Sequence, residues 1–171
     1  MDKSAENGHL HVVQWLHENF RGVSASSKAM DMAAKNGYLL VVKWLHLHRS
    51  EGCSTEAMTG AAEKGHLHVV EWLHAHRSEG WRISAMDFAA ENGHLHVVEW
   101  LHQYRDEGCS AWSVNGAAKN GHLNVLKWLH AHRTEGCTSR AMDFAAGSGH
   151  LSVVEWLHKH HFEGCTKNAM D

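Results

Sequence analysis

Leu95, Val97, Val98, Trp100 and Leu101 lie within one short stretch and, at 100° per residue, cover more than half the circumference of a helix. Just before them, Ala85, Met86, Phe88, Ala89 and Ala90 form a second broad apolar face, with Asp87 and Glu91 on the opposite side. Gly93 separates the two and suits a left-handed C-terminal residue that ends one helix and lets the next begin. The pattern predicts a first helix from Ser84 to Asn92 and a second from about His94 to Arg105, stopped by Gly108.

The same block starts again at Gly8, Gly37, Gly65, Gly121 and Gly149, and the spacing between successive glycines is 29 residues once and 28 four times. Each glycine is followed seven residues later by a tryptophan: Trp15, Trp44, Trp72, Trp100, Trp128 and Trp156. A fixed period of this length predicts stacked units, each too short to bury its apolar face alone. The predicted fold is all-α, an α-solenoid of six helix–turn–helix units. They occupy approximately 1–29, 30–57, 58–85, 86–113, 114–141 and 142–169, within a single array over 1–171. Ser54, Ser110, Thr138 and Thr166 stand where N-caps are needed; Arg82 breaks that series, and Ser84 can cap two residues later. The chain opens and closes in the phase of the repeat, so it reads as part of a longer array or an array without dedicated caps.

Composition narrows the classes of function. A net charge of −3 and a pI near 6.7 provide no basic footprint for nucleic acid. The longest apolar run, 38–42, is far short of the ~18 residues of a membrane span. The first residues have no apolar leader core. Cys53, Cys109, Cys137 and Cys165 share one slot of the unit, and equivalent slots in stacked helices lie roughly 10 Å apart. A disulfide needs Cα atoms within about 7 Å, so these read as small packed thiols in a reducing, intracellular and cytoplasmic setting.

The residues from Gly65 to Leu73 and from Gly93 to Leu101 resemble the second helix of ankyrin repeats, typically Gly-His-Leu-Glu-Val-Val-Lys-Leu-Leu-Leu, with Trp in place of the first closing leucine. Phe88-Ala89-Ala90 and Phe144-Ala145-Ala146 match the family's Leu-Ala-Ala. The units here are shorter than the family's ~33 residues. The opening Thr-Pro-Leu-His is absent, and the chain contains no proline. The missing length falls where the family places its β-hairpin, since only Glu107-Gly108-Cys109-Ser110-Ala111 links successive helices. The resemblance implies a hairpin-less, Trp-containing relative whose function is non-catalytic protein–protein recognition.

Nineteen histidines raise the question of metal. Those that follow the turn glycine (His9, His66, His94, His122 and His150) match a structural turn residue of the family, with Tyr38 in the second unit. His17, His46, His74, His102, His130 and His158 lie inside the apolar arc and are expected to form a polar ladder that sets stacking register. Pairs such as His46/His48 point about 160° apart on a helix and cannot chelate one ion. No metal, cofactor or catalytic residue is expected, and mild acid is expected to loosen the array by protonating the ladder.

The outer face of the first helices is then the expected partner-binding ridge. Asp31, Thr59, Asp87, Asn115 and Asp143 occupy one of its positions; Lys35, Glu63, Glu91 and Lys119 lie one turn on. Met32, Gly60, Phe88, Gly116 and Phe144 alternate bulky with empty, which predicts pockets beside Gly60 and Gly116. Trp81 and Trp112 fall outside the repeated tryptophan slot and join the ridge as candidate anchors. The alternative is a structural spacer, or a segment that associates end to end with further copies.

Overall fold

The computed structural model describes residues 1–20, 25–80, 82, 84–105, 108–133 and 139–160. Among these there are twelve helices and no strand. The chain divides into two compact units, Met1–Arg82 and Ile83–Asp171.

The first unit contains three helical pairs. α1 (Asp2–Glu6) and α2 (Leu10–Asn19) are followed by α3 (Ser27–Lys35) and α4 (Leu39–His48), then by α5 (Thr55–Glu63) and α6 (Leu67–His76). The second unit repeats the plan. Its pairs are α7 (Ser84–Glu91) with α8 (Leu95–Tyr104), α9 (Ala111–Lys119) with α10 (Leu123–His132), and α11 (Ser139–Gly147) with α12 (Leu151–His160).

The core follows the predicted period. Val69, Val70 and Leu73 of α6 are fully buried, as are Ala57, Ala61 and Ala62 of α5. Alanines on the first helices let neighbouring repeats approach closely, and the branched residues of the second helices fill the space behind them.

Each helix pair is joined by the same turn. Gly37 has φ +80°, and the Tyr38 N–H reaches back to the Ala33 carbonyl at 2.9 Å, a Schellman closure. The next repeat seats a flat ring on this glycine. A Cβ on Gly37 would lie 2.7 Å from the His66 ring, and one on Gly8 2.6 Å from the Tyr38 ring. In the second unit the His122 ring covers Gly93 and the His150 ring covers Gly121 in the same way.

The link from α4 to α5 is short and contains no strand. Arg49 forms a two-point ion pair with Glu51 across it, Gly52 turns the chain at φ +69°, and Ser54 caps α5 by accepting from the Glu56 N–H at 3.1 Å. Ser110 caps α9 through the Trp112 N–H in the same way. Thr138 and Thr166 lie outside the described residues.

Candidate functional site

Within each unit His17, His46, His102 and His130 stand edge-on to the tryptophan of the next repeat, but His74, His130 and His158 are exposed rather than enclosed in the apolar arc. The His46 ring stands edge-on to Trp72 of the next repeat (5.2 Å, 84°), and Trp72 stacks face to face on its own His76 (4.5 Å, 9°). His102, Trp128 and His132 repeat that arrangement. An arginine side chain has only donors, so the Arg77 Nη1 at 3.2 Å from His46 Nδ1 makes that nitrogen the acceptor. His76 Nδ1 instead donates to the Trp72 carbonyl at 2.8 Å. The two histidines of a His-x-His pair therefore serve different rungs. In the first repeat, whose link to the next is one residue longer, His17 Nδ1 is buried without a partner among the described residues.

Arg77 also pairs with Glu79. Burial raises the Glu79 carboxyl, but the Arg77 hydrogen bond and charge outweigh it and hold the group below its ordinary value. Cys53 lies against this cluster, where burial, with the Glu79 charge adding, pushes its thiol up to about 11. Cys109 is buried. Cys137 and Cys165 lie outside the described residues. Among the described residues no group of three or more His, Cys, Asp or Glu could hold a metal ion.

The first helices do not present Asp31, Thr59, Asp87 and Asn115 outward. All four are buried, and the ridge loses them. The reason is the neighbouring helix N-terminus. Asp31 accepts from the Ser54 N–H (2.7 Å) and hydroxyl (2.9 Å), and Asp87 accepts from Ser110 in the same way (2.9 and 2.7 Å). A helix N-terminus with free N–H groups and a partial positive charge is a better place for a carboxylate than its own helix face. Asp2 makes the same contact with Ser26. Thr59 turns its hydroxyl to the Thr55 carbonyl of its own helix (2.9 Å).

The pockets predicted beside Gly60 and Gly116 do not exist. A Cβ on Gly60 would meet the Lys35 Cβ at 2.9 Å, and one on Gly116 the Glu91 Cβ at the same distance. The empty positions are filled by a closer approach of the preceding helix.

The remaining ridge residues stay at the surface. In the first unit Lys35 and Glu63 form an ion pair between α3 and α5 (2.9 Å), Lys64 adds to it, and Arg82 pairs with Glu56. Burial raises the Glu63 carboxyl, but Lys35 and Lys64 more than offset this and hold it low.

The second unit is different. Trp112 is 41% exposed, its indole N–H donates to Glu91 at 2.9 Å, and its ring stands at 71° to Phe144 with centroids 6.4 Å apart. Lys119 is exposed on the same helix, and Asp143 on α11 is half-buried. Arg140 is also exposed and was not among the residues singled out from sequence. The signal that could have found it is a cation in the first turn of α11, where the third repeat has Glu56. Trp81 lies outside the described residues.

Stacked pairs of short helices, joined by tight glycine turns, define a helical-repeat solenoid that displays side chains on a fixed backbone. The sequence profiles for ankyrin repeats match residues 30–115 (three copies) and 117–158 (many copies). The chain belongs to the ankyrin repeat family. Ankyrin repeats generally mediate protein–protein interactions and are typically non-catalytic. Among solved structures, the human ASB11 ankyrin repeat domain is similar in fold, with a TM-score of 0.70 at 15% identity. The match covers 94% of this chain and 82% of that one. No curated protein sequence matches the chain. No described helix is long and apolar enough to cross a membrane.

Proposed function

We propose that residues 1–171 act as one non-catalytic scaffold that recognises a protein partner through the exposed edge of the first helices and the loops beside it. The observation that carries this reading is Trp112, a large aromatic side chain exposed at a position that is Glu56, Ser84 and Arg140 in other repeats. Exposed tryptophan is enriched where partners bind. Glu91 and Lys119 lie with it on the first-helix edge of the second unit, Lys35 and Glu63 lie on the corresponding edge of the first, and Asp31, Thr59, Asp87 and Asn115 belong to the framework beneath. Stacking holds the backbone, and substitutions along the edge choose the partner.

The test is affinity capture from a lysate with the native chain and with a Trp112→Ala/Lys119→Glu variant of equal helicity and thermal midpoint. A partner held by the native chain and released by the variant supports the reading. Equal retention by both removes this edge from recognition. Concentration-dependent elongation with nothing captured speaks instead for a spacer or an end-to-end assembling segment.

A further inference from the structure

The exposed edge of the second unit has an unusual charge arrangement. Acids and bases along the first-unit edge pair with one another. In the second unit Glu91 is engaged by the Trp112 indole, whereas Lys119 and Arg140 have no carboxylate partner among the described residues. Arg140 is also placed against electrostatic preference, in the first turn of α11, where the positive end of the helix dipole disfavours a cation. The third repeat has Glu56 there, which suits the dipole. An aromatic pair, the exposed Trp112 and the half-buried Phe144, lies beside these two cations.

The spacing of the cations is informative. Lys119 is seven residues beyond Trp112, on the same helix face and about 10 Å along the axis. Arg140 holds the Trp112 position one repeat on, about 8–10 Å to the side. The diagonal between the cations is roughly 14 Å, about four residues of extended chain at ~3.3 Å each. In an extended chain every second side chain points the same way. Two acids four residues apart would therefore flank an apolar side chain directed at the same surface.

We propose that this surface takes an extended acidic segment of a partner protein, of the form acid-x-apolar-x-acid, with the apolar side chain on Trp112 and Phe144 and the acids on Arg140 and Lys119. The proposal rests on the recognition reading above and assigns its partner's chemistry.

The experiment is fluorescence anisotropy of the whole chain with labelled peptides that contain Glu-Ser-Phe-Ser-Glu, Lys-Ser-Phe-Ser-Lys or Glu-Ser-Ser-Ser-Glu between Gly/Ser flanks. The first peptide should bind about tenfold or more tighter than either other. Arg140→Glu and Lys119→Glu should each weaken it by a similar factor. Arg140→Glu should also come to prefer one of the two mixed peptides with Lys at a single end, a gain that a misfolded variant could not show. Trp112→Ala should bind the Phe and Ser peptides equally.

No binding of the acidic peptide, equal binding of acidic and basic peptides, or tighter binding of single-stranded oligothymidine would overturn the proposal. A lysate partner that depends on Trp112 yet ignores competition by the acidic peptide would overturn it too, while leaving the recognition reading intact.

Discussion

The Asp31 carboxylate takes both the backbone N–H and the hydroxyl of Ser54, 23 residues later, and so ties the middle of α3 to the start of α5. The same Ser54 hydroxyl accepts from the Glu56 N–H. One side chain thus caps its own helix and clamps the previous repeat.

Hydrogen bonds to a charged group contribute about 1.5–3 kcal/mol each, so Asp31→Ala should lower stability by about 2 kcal/mol or more in urea denaturation. Burial raises the Asp31 carboxyl above its ordinary value, even with the two Ser54 hydrogen bonds pulling the other way. Its ionisation therefore weighs against the fold: the contribution is fullest below the ordinary aspartate value of 3.8 and is lost as pH rises through the higher folded value. At neutral pH Asp31→Asn, which keeps the shape and sheds the charge, should cost less than half of what Asp31→Ala costs. The fifth repeat has Asn115 at this position.

Gly60 and Gly147 predict opposite outcomes for the same substitution. Gly60→Ala presses a methyl group onto the Lys35 stem at 2.9 Å, and overpacking of this kind costs about 1–3 kcal/mol. A gain of about 1 kcal/mol in helix propensity offsets part of that. Gly147→Ala meets nothing within 4 Å and should stabilise by about 0.5–1 kcal/mol. Thermal midpoints of the two variants should move to opposite sides of the parent; a rise for both would contradict the close approach of α3 and α5.

Burial pushes the His122 imidazole below its ordinary value, and the neighbouring His150 adds to this, against a hydrogen bond to the Glu91 carbonyl that raises it. The unfolded chain then holds the proton more readily than the folded one. Stability is unaffected well above pH 6.5 and falls as pH drops through that value towards the lower folded one. His122→Tyr, which borrows the ring that Tyr38 seats on Gly8, should lose less in thermal midpoint between pH 7.5 and 5.5 than the parent does. Equal losses would remove His122 from the acid response.

With its thiol near 11 rather than 9.0, Cys53 carries about a hundredfold less thiolate near neutral pH than an ordinary cysteine. Iodoacetamide labelling followed by peptide mapping should find Cys53 slow in the native chain and ordinary in urea. Fast labelling of the native chain would contradict its packing against Arg77 and Glu79.

The repeat, the helix bounds and the glycine turns were legible because each rests on one helix's own periodicity, repeated until chance is excluded. The side of the first helix that faces solvent was not. A helical wheel separates apolar from polar positions, but Asp31 and Asp87 are polar and buried, since their partners are backbone groups of the next repeat. A signal was present in the spacing: Asp31/Ser54, Asp87/Ser110 and Asp143/Thr166 are each 23 residues apart, while Thr59 is followed at that distance by Arg82. The glycines at 60 and 116 misled for a related reason. An absent side chain leaves either a hollow or a closer neighbour, and only the packing of α3 on α5 and of α7 on α9 decides which.

The ring seated on Gly8, Gly37, Gly93 and Gly121 has a consequence for how such a chain changes length. The joint asks for a bare backbone behind and a flat ring in front, and it accepts Tyr38 as readily as His66. A gain or loss of 28 residues leaves these joints matched, and the 29-residue first spacing adds its extra residue in the link while the Tyr38 ring still seats on Gly8. A gene of this kind can therefore grow or shrink by unequal crossing-over, one cassette at a time, and each new junction closes without further mutation.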